Sequence, residues 1–255
     1  MSQDHPEFST SPIVEDLRRS LKNRICLALA EPDVVRARSL LMSIGDRVGM
    51  VKVGPVLFMR AGMGFLEEIS DRGIPLFLDL KWHDIPNTVF GAISGLSLPT
   101  LRLLTIHAQG GEAMIRAARE ASESLSGVSP LVLAVTLLTH LDARELGRLG
   151  VSDRRAGVLG LGGLALEAGA HGLVMAPGDL SSARDCFGGA PYLVTPGIRW
   201  EEGAVSGGTG RKDDQVLAGS PREALLGGSD LLVIGRPFLK SPDPKRLLED
   251  LLSSI

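Results

Sequence analysis

Two lysines and two aspartates lie at the ends of short apolar segments, where their charges suit acid–base or electrostatic chemistry. Lys52 lies in MVKVG, and Asp79, Lys81 and Asp84 lie in FLDLKWHDIPNT. Residues two apart in a β-strand point to the same face, so Asp79 and Lys81 are expected to share one. Neighbouring cations and anions keep each other ionised. A cationic lysine can stabilise a carbanion and then donate its proton, while a fixed aspartate can repel a substrate carboxylate.

A purely structural explanation of this cluster is a buried ion-pair network that fastens the fold. Removing four charges from water offsets most of their mutual attraction, so such a network is a poor way to stabilise a core. A charged run at the end of an otherwise apolar strand therefore favours a functional site.

The elements that would carry these charges recur along the whole chain as short apolar segments. Helix-like stretches separate them, such as Val34–Val48, Phe58–Arg72, Glu112–Ser124 and Pro221–Leu226. Continuous apolar runs joined by helical crossovers are typical of buried parallel strands. The predicted strands are Ile25–Ala30, Met50–Val53, Pro75–Leu80, Leu101–His107, Pro130–Thr136, Gly172–Met175, Tyr192–Thr195 and Asp230–Ile234.

Eight strand–helix units in 255 residues predict a (β/α)8 TIM barrel, a fold of about 250 residues. An open, doubly wound sheet has a similar rhythm, but a dinucleotide-binding sheet would need G-x-G-x-x-G where ALAEPD follows the first strand. No linker interrupts the rhythm, so residues 1–255 are expected to form a single domain. Pro12–Lys22 is predicted as an extra N-terminal helix, and Asp243–Leu252 as a helix closing the outer ring.

One long irregular segment, RWEEGAVSGGTGRKDD at Arg199–Asp214, is rich in glycine and charge. Loops of this length in a compact domain are usually functional or disordered. It lacks apolar periodicity and is followed by a predicted helix from Gln215. We interpret it as a mobile lid, with plain disorder as the alternative.

The overall composition excludes several classes of partner. A net charge of −3 and a pI near 6.0 argue against nonspecific nucleic-acid binding. No segment approaches the roughly 20 apolar residues of a membrane span, and the polar start MSQDHPEFSTSP has no signal-peptide pattern. We therefore expect a cytoplasmic protein. The two cysteines, Cys26 and Cys186, have no metal-binding or redox spacing and are interpreted as reduced and structural.

The charged segment resembles the signature of the orotidine 5′-monophosphate decarboxylase family, D-x-K-x-x-D followed by I-P-x-T. Six further segments match that family in order and approximate spacing, which makes the resemblance specific over most of the chain. These are KVGPVLF (Lys52–Phe58), TIHAQGG (Thr105–Gly111), AVTLLT (Ala134–Thr139), TPGIR (Thr195–Arg199), DDQ (Asp213–Gln215) and IGRP (Ile234–Pro237).

The resemblance implies decarboxylation of orotidine 5′-monophosphate to uridine 5′-monophosphate and CO2. Lys52, Asp79, Lys81 and Asp84 correspond to the family's charged tetrad. Lys81 would protonate C6 of the pyrimidine, and Asp79 would oppose the departing carboxylate. Lys52 would orient the array and touch the ribose. Asp84 would reach into the active site of the other subunit of a homodimer.

The resemblance also implies a set of substrate-binding residues, with no metal and no organic cofactor. These residues are Thr88, Thr139, Pro196, Arg199, Gln215, Gly235 and Arg236. Gly235 and Arg236 follow the last strand, where barrels commonly hold a phosphate with backbone amides. Arg236 adds a fork-shaped donor, and Thr139 would lie by the pyrimidine's polar edge. The alternative for Arg199 and Arg236 is a surface salt bridge.

The histidines suggest no metal site. His107 ends the fourth predicted strand and is interpreted as packing at the barrel mouth, while His83 is expected to face solvent. His140 and His171 have no metal-ligand partners at suitable spacing.

One position departs from the family pattern. Its first strand normally ends A-L-D, and this chain has LALAEPD, which puts Ala30 where a ribose-binding aspartate is expected. Glu31 or Asp33 would have to substitute, although a shift of one residue reverses the side-chain face of a regular strand.

Two other functions remain as alternatives. One is a related barrel that acts on a phosphorylated keto sugar with magnesium, although such enzymes lack the TPGIR-to-DDQ segment. The other is a descendant that binds nucleotide without turnover, which only Ala30 supports.

Overall fold

Eight parallel strands close into a barrel, each paired with its neighbours in chain order and β8 paired with β1. The computed structural model describes Arg18, residues 20–200 and residues 219–255. The strands are β1 (Ile25–Leu29), β2 (Met50–Val53), β3 (Leu76–Trp82), β4 (Leu101–His107), β5 (Leu131–Val135), β6 (Gly172–Val174), β7 (Tyr192–Thr195) and β8 (Leu231–Ile234). The predicted (β/α)8 barrel is confirmed, and the open doubly wound sheet is excluded.

Helices follow the strands and form the outer layer. They are α1 (Val34–Ile44), α2 (Pro55–Asp71), α3 (Pro86–Ser94), α4 (Gly111–Glu123), α5 (Ala143–Arg148), α6 (Arg154–Glu167), α7 (Leu180–Phe187), α8 (Pro221–Leu226), α9 (Arg236–Lys240) and α10 (Pro244–Ser254). Short 3-10 turns lie at Lys22–Arg24, Gly45–Arg47, Ala108–Gly110 and Pro177–Asp179.

The apolar strand residues separate into two packed layers because successive side chains of a strand point to opposite faces. One layer lies between the strands and the helices. The other fills the barrel interior with side chains such as Cys26, Met50, Phe77, Leu103 and Tyr192. The interior is therefore a packed core, and chemistry is confined to the barrel's ends.

Capping residues, glycine and proline determine where the first two helices begin and end, and these bounds differ from those predicted from apolar spacing. Helix α1 begins where Asp33 accepts hydrogen bonds from the amides of Val35 and Arg36, and it ends at Ile44 rather than at Val48. Gly45 favours this earlier end because glycine is a weak helix former. Helix α2 begins at Pro55, three residues before the predicted start, because proline is favoured in the first helical turn.

A charged cluster ties the amino-terminal end of the barrel together. Asp230, immediately before β8, is 5% exposed and accepts bonds from Arg18, from Arg184 of α7 and from the amide of Leu193 in β7. Arg24 donates to the backbone carbonyls of Ser229 and Asp230. One buried carboxylate thus joins four chain segments at the end opposite the strands' carboxyl termini.

Two other predicted segments are only partly covered by the structure. Of the proposed helix Pro12–Lys22, Arg18 is helical and Lys22 begins a 3-10 turn, while residues 12–17 and 19 lie outside the described residues. Of the proposed lid Arg199–Asp214, only Arg199 and Trp200 are described. Within the described ranges, no helix is long and apolar enough to cross a membrane.

The two cysteines have opposite surroundings. Cys26 is fully buried in the barrel interior, and burial raises the pKa of its thiol. Cys186 lies near the end of α7 and is exposed.

Candidate active site

Three of the four predicted charged residues meet at the carboxyl ends of β2 and β3. Lys52 Nζ donates to Asp79 Oδ2 at 2.7 Å, and Lys81 Nζ donates to Asp79 Oδ1 at 2.8 Å. The exposed fractions of the side chains are 16% for Lys52, 9% for Asp79 and 32% for Lys81. We call these three residues the charged array. It lies directly above the packed interior, with its most exposed member, Lys81, open to the barrel mouth.

The charge of Asp79 is fixed by its two lysines. Burial alone would raise the pKa of this carboxyl, but the charges and hydrogen bonds of Lys52 and Lys81 outweigh burial and lower it below its ordinary value. Asp79 is therefore a permanent anion at neutral pH. A second anion placed beside it, such as a substrate carboxylate, would be repelled in a medium that screens charge poorly.

The backbone of Lys81 has an unusual conformation for this position. Its φ is 52°, which makes it the only residue other than glycine with positive φ in the described part of the chain. The pairing register between β3 and β4 shifts between Leu78 and Trp82, so the strand bends around this residue. Strand β3 accordingly extends to Trp82, two residues beyond the predicted end. Backbone strain of this kind is concentrated at functional sites.

Thr105 of β4 contacts both Asp79 and Lys81, although it was not among the residues predicted from the sequence. Its hydroxyl accepts a hydrogen bond from the Lys81 amide at 3.0 Å and donates one to Asp79 Oδ1 at 2.9 Å. The available signal was its spacing. Thr105 lies two residues before His107 at the end of β4, so it faces the barrel interior beside β3.

Asp84 and Thr88 lie apart from the charged array. Asp84 Oδ1 accepts a hydrogen bond from the amide of the next residue, Ile85, at 2.7 Å, and Asp84 is exposed. Thr88 is exposed in the first turn of α3. Within one chain the predicted tetrad is therefore a partly buried triplet, with its fourth member exposed.

The predicted phosphate residues lie at the same end of the barrel as the array. Gly235 follows β8, and a Cβ there would lie 3.0 Å from the carbonyl oxygen of Ala28, so a side chain would be crowded against β1. Arg236 is exposed in the first turn of α9. Arg199 is exposed after β7, and its amide donates to the carbonyl of Gly219 at 3.1 Å.

The other predicted substrate residues are less completely described. Pro196 is half-buried immediately after β7, and Thr139 is half-buried in the turn after β5. Gln215 lies outside the described residues.

The two histidines near the array form a pair. The rings of His83 and His107 are tilted, with centroids 5.3 Å apart, and His83 is exposed. Burial lowers the pKa of His107, and the neighbouring His83 and Lys81 lower it further. His107 is therefore neutral at neutral pH, in keeping with a packing role. Among the described residues, no three His, Cys, Asp or Glu side chains are grouped as metal ligands would be.

The end of β1 is irregular at the position of the missing aspartate. The amide of Ala30 donates to the carbonyl of Ala28 at 2.9 Å, a tight turn that ends the strand. Glu31 is buried, accepts from the Asp33 amide at 3.1 Å and lies 3.5 Å from Arg36. Asp33 caps α1. Both carboxylates that might replace the aspartate are thus engaged with the start of α1.

Comparisons with known proteins agree on one family. Residues 23–251 match the model of the Orotidine 5′-phosphate decarboxylase / HUMPS family. The orotidine 5′-phosphate decarboxylase of Anaeromyxobacter dehalogenans is 41% identical over 222 residues, covering 87% of this chain and 93% of the relative. That of Ehrlichia chaffeensis is 39% identical over 236 residues, covering 91% and 97%. The crystal structure of orotidine 5′-phosphate decarboxylase from Lactobacillus acidophilus superposes with a TM-score of 0.75 at 31% identity, covering 90% of this chain and 97% of that one.

Proposed function

The chain belongs to the Orotidine 5′-phosphate decarboxylase / HUMPS family, and we propose that Lys81 is the proton donor of its reaction. That reaction converts orotidine 5′-monophosphate to uridine 5′-monophosphate and CO2, in agreement with the named relatives at about 40% identity. The observation that carries the proposal is the charged array, in which Asp79 holds two lysines at 2.7 and 2.8 Å. The substrate would bind with its C6 carboxylate towards Asp79 and its C6 atom within reach of Lys81 Nζ.

The reaction then needs only charges that the protein already holds in place. The bond between C6 and the carboxylate breaks, CO2 leaves, and the electron pair remains on C6. Lys81 stabilises this carbanion and transfers a proton to C6, after which solvent restores the proton to the lysine. Fixed, partly buried charges stabilise such a transition state without reorganising, so we propose that the reaction is cofactor-free. Asp79 adds repulsion that the departing CO2 relieves.

The phosphate of the nucleotide would bind after β8, which β1 separates from β2 and the charged array. Gly235 and Arg236 are the proposed phosphate residues, with Arg199 and Gln215 at either end of the proposed lid. Thr139 and Pro196 would line the pyrimidine pocket. Binding energy from a remote phosphate can then close the site over the reacting carbon.

The two alternative functions are less well supported. The family model covers more than one activity, but the relatives from Anaeromyxobacter dehalogenans and Ehrlichia chaffeensis, at about 40% identity, are named orotidine 5′-phosphate decarboxylases. This argues against the keto-sugar enzyme. The intact charged array argues against a descendant that only binds nucleotide, although Ala30 leaves the proposed ribose contact unfilled.

A direct assay tests the function. The protein is mixed with orotidine 5′-monophosphate and EDTA, and the change in pyrimidine absorbance is followed. We expect turnover that the chelator does not reduce. Turnover only after magnesium is added back would contradict the cofactor-free reaction, and tight nucleotide binding without any turnover would favour the binding-only alternative.

We also propose that the protein is a homodimer in which each subunit supplies Asp84 to the other's active site. Asp84 is exposed and lies next to Ile85, a large apolar side chain that is 67% exposed. On α2, Val56 and Met59 lie one turn apart and are 57% and 81% exposed. Exposed apolar side chains of this kind suit an isologous interface. A cytoplasmic location and a single-domain organisation remain predictions.

Subunit complementation tests the shared site. Lys81→Ala and Asp84→Ala are each expected to be inactive, but a hybrid dimer contains one site with both residues intact. Random pairing of equal amounts should restore about one quarter of the wild-type activity, since half the C2 dimers are hybrids with one good site. The measurement is decarboxylation by the two variants co-expressed in one cell.

The matched control pairs Lys81→Ala with Asp79→Asn. Each active site takes its Lys81 and its Asp79 from the same subunit. In the hybrid, one site therefore lacks Lys81 and the other lacks Asp79, so the hybrid should stay inactive. If the Lys81 and Asp84 variants together are no more active than either alone, the shared site is wrong.

A further inference from the structure

We propose that Thr105 is a positioning residue of the decarboxylation site, whose hydroxyl holds both the carboxylate of Asp79 and the backbone of Lys81. This rests on the proposed function of the charged array and adds a residue that does not itself touch the substrate. The hydroxyl is completely buried, and it donates to Asp79 Oδ1 at 2.9 Å while it accepts from the Lys81 amide at 3.0 Å.

The first task of this hydroxyl is to set the rotation of the Asp79 carboxylate. Oδ2 is held by Lys52, while Oδ1 receives both Lys81 Nζ and the Thr105 hydroxyl. The lysine ends of these bonds belong to long, flexible side chains, and Lys81 is also partly exposed. Thr105 is the short, rigid donor among the three, because a β-branched side chain has restricted rotamers and this one is packed in the barrel wall. Thr105 therefore fixes the plane of the Asp79 carboxylate, whose two oxygens accept hydrogen bonds from the ammonium groups of Lys52 and Lys81.

The second task is to stabilise the left-handed backbone of Lys81. At a φ of 52° this residue is in a conformation that L-amino acids other than glycine rarely adopt. The β3–β4 register shift removes regular ladder pairing there, and the Thr105 hydroxyl accepts the Lys81 amide in its place. The strained residue is thereby anchored to the neighbouring strand. Such strain persists only where surrounding structure over-determines it.

Through these two bonds, one hydroxyl group sets both the orientation of the Asp79 carboxylate and the position of the backbone from which the Lys81 side chain starts. If the hydroxyl is lost, the carboxylate is free to rotate and the start of the Lys81 side chain is free to shift. Reaction rates are sensitive to displacements of about 1 Å at a reacting group. The barrel itself should survive, since valine has nearly the shape of threonine, with a methyl group in place of the hydroxyl.

The test compares three variants in the decarboxylation assay. Thr105→Val keeps the shape and removes the hydroxyl, and we expect kcat to fall about 100-fold with KM changed less than about threefold. Thr105→Ser restores the hydroxyl and should recover most of the lost kcat. Thr136→Val is the matched control because Thr136, just after β5, is also buried and its hydroxyl has no partner among the described residues. Its kcat should be nearly that of the wild type.

The pH profile separates positioning from loss of packing. Without the Thr105 hydrogen bond, the anion of Asp79 is less stabilised and the pKa of this carboxyl rises. The acid side of the kcat profile of Thr105→Val should therefore move to higher pH, whereas Thr136→Val should leave it in place.

Two results would overturn the proposal. One is a Thr105→Val enzyme with the kcat and pH profile of Thr136→Val, and the other is a loss of kcat that Thr105→Ser does not recover. If the wild-type protein itself fails to decarboxylate orotidine 5′-monophosphate, the proposed function is at fault. In that case, an amide shift of Lys81 in the NMR spectrum of Thr105→Val but not of Thr136→Val still tests the contact.

Discussion

Replacing Lys81 by alanine is expected to lower kcat for decarboxylation by about 10⁴-fold or more, because the change removes both a proton donor and a fixed charge next to the carbanion. The remaining contacts of Asp79 with Lys52 and Thr105 should keep the carboxylate in place. The loss therefore measures chemistry rather than collapse of the site. It is followed as the absorbance change of the pyrimidine under saturating substrate.

Binding of the product should largely survive this change. Lys81 of β3 is proposed to act at C6, while the proposed phosphate contacts, Gly235 and Arg236, follow a different strand, β8. The affinity for uridine 5′-monophosphate, measured by titration calorimetry, should remain within about tenfold of the wild type, since one partly exposed contact contributes about 1 kcal/mol.

Lys245→Ala is the matched control for Lys81→Ala. Lys245 is exposed in the outer-layer helix α10 and is not part of the charged array, so its removal should leave kcat unchanged. Near-wild-type turnover by a folded Lys81→Ala enzyme would show that another group protonates C6.

The largest loss of stability is expected from Asp230→Asn at the opposite end of the barrel. Burial lowers the pKa of the Arg184 guanidinium, and the charge of Asp230 opposes that shift. Without this charge, Arg184 and Arg18 face each other with no carboxylate between them. Breaking a buried ion pair on one side costs about 3 kcal/mol or more. In a protein of this size, that corresponds to a fall in Tm of about 6–12 °C.

The measurement is thermal unfolding followed by circular dichroism. Asp185→Asn is the matched control, because Asp185 is an exposed carboxylate in the same helix as Arg184. Its Tm should change by less than about 2 °C, as for ordinary surface substitutions. At temperatures well below its Tm, Asp230→Asn should keep its kcat, and an unchanged Tm would mean that the cluster contributes little.

The barrel was predictable because its signal is repeated eight times and is carried by burial. Strands such as Met50–Val53 and Tyr192–Thr195 were predicted with the bounds observed, since apolar runs between turns leave little choice. Helix ends were less accurate. The early end of α1 depends on Gly45, and the early start of α2 depends on Pro55, so both are local effects that apolar spacing does not record.

The charged array was predictable for a different reason. The spacing of Asp79 and Lys81 on one strand, and the place of Lys52 on the next, bring the three side chains together once a parallel barrel is assumed. The left-handed φ of Lys81 was not predictable, because it arises from a register shift between β3 and β4. Thr105 was missed in part for the same reason, since one of its two hydrogen bonds is to the amide that this shift leaves without a strand partner.

Ala30 shows the limit of reading contacts from spacing alone. Glu31 and Asp33 were considered as replacements because of their charge and proximity in sequence. In the structure, the chain turns at Ala30, and both carboxylates serve the start of α1. This turn at the end of β1 decides which of the following side chains point into the barrel mouth, and the residue types alone do not predict the turn.

Because one cysteine is buried and the other exposed, unfolding of the protein can be followed by labelling its thiols. With Cys26 sealed inside the barrel and Cys186 exposed on α7, a thiol-directed dye should attach at one position in the native chain. That dye would sit on the outer layer, well away from the charged array. The Cys26 thiol would react only when the barrel opens. The number of labelled thiols per chain, followed over time, would therefore measure the rate of global opening in the unsubstituted protein.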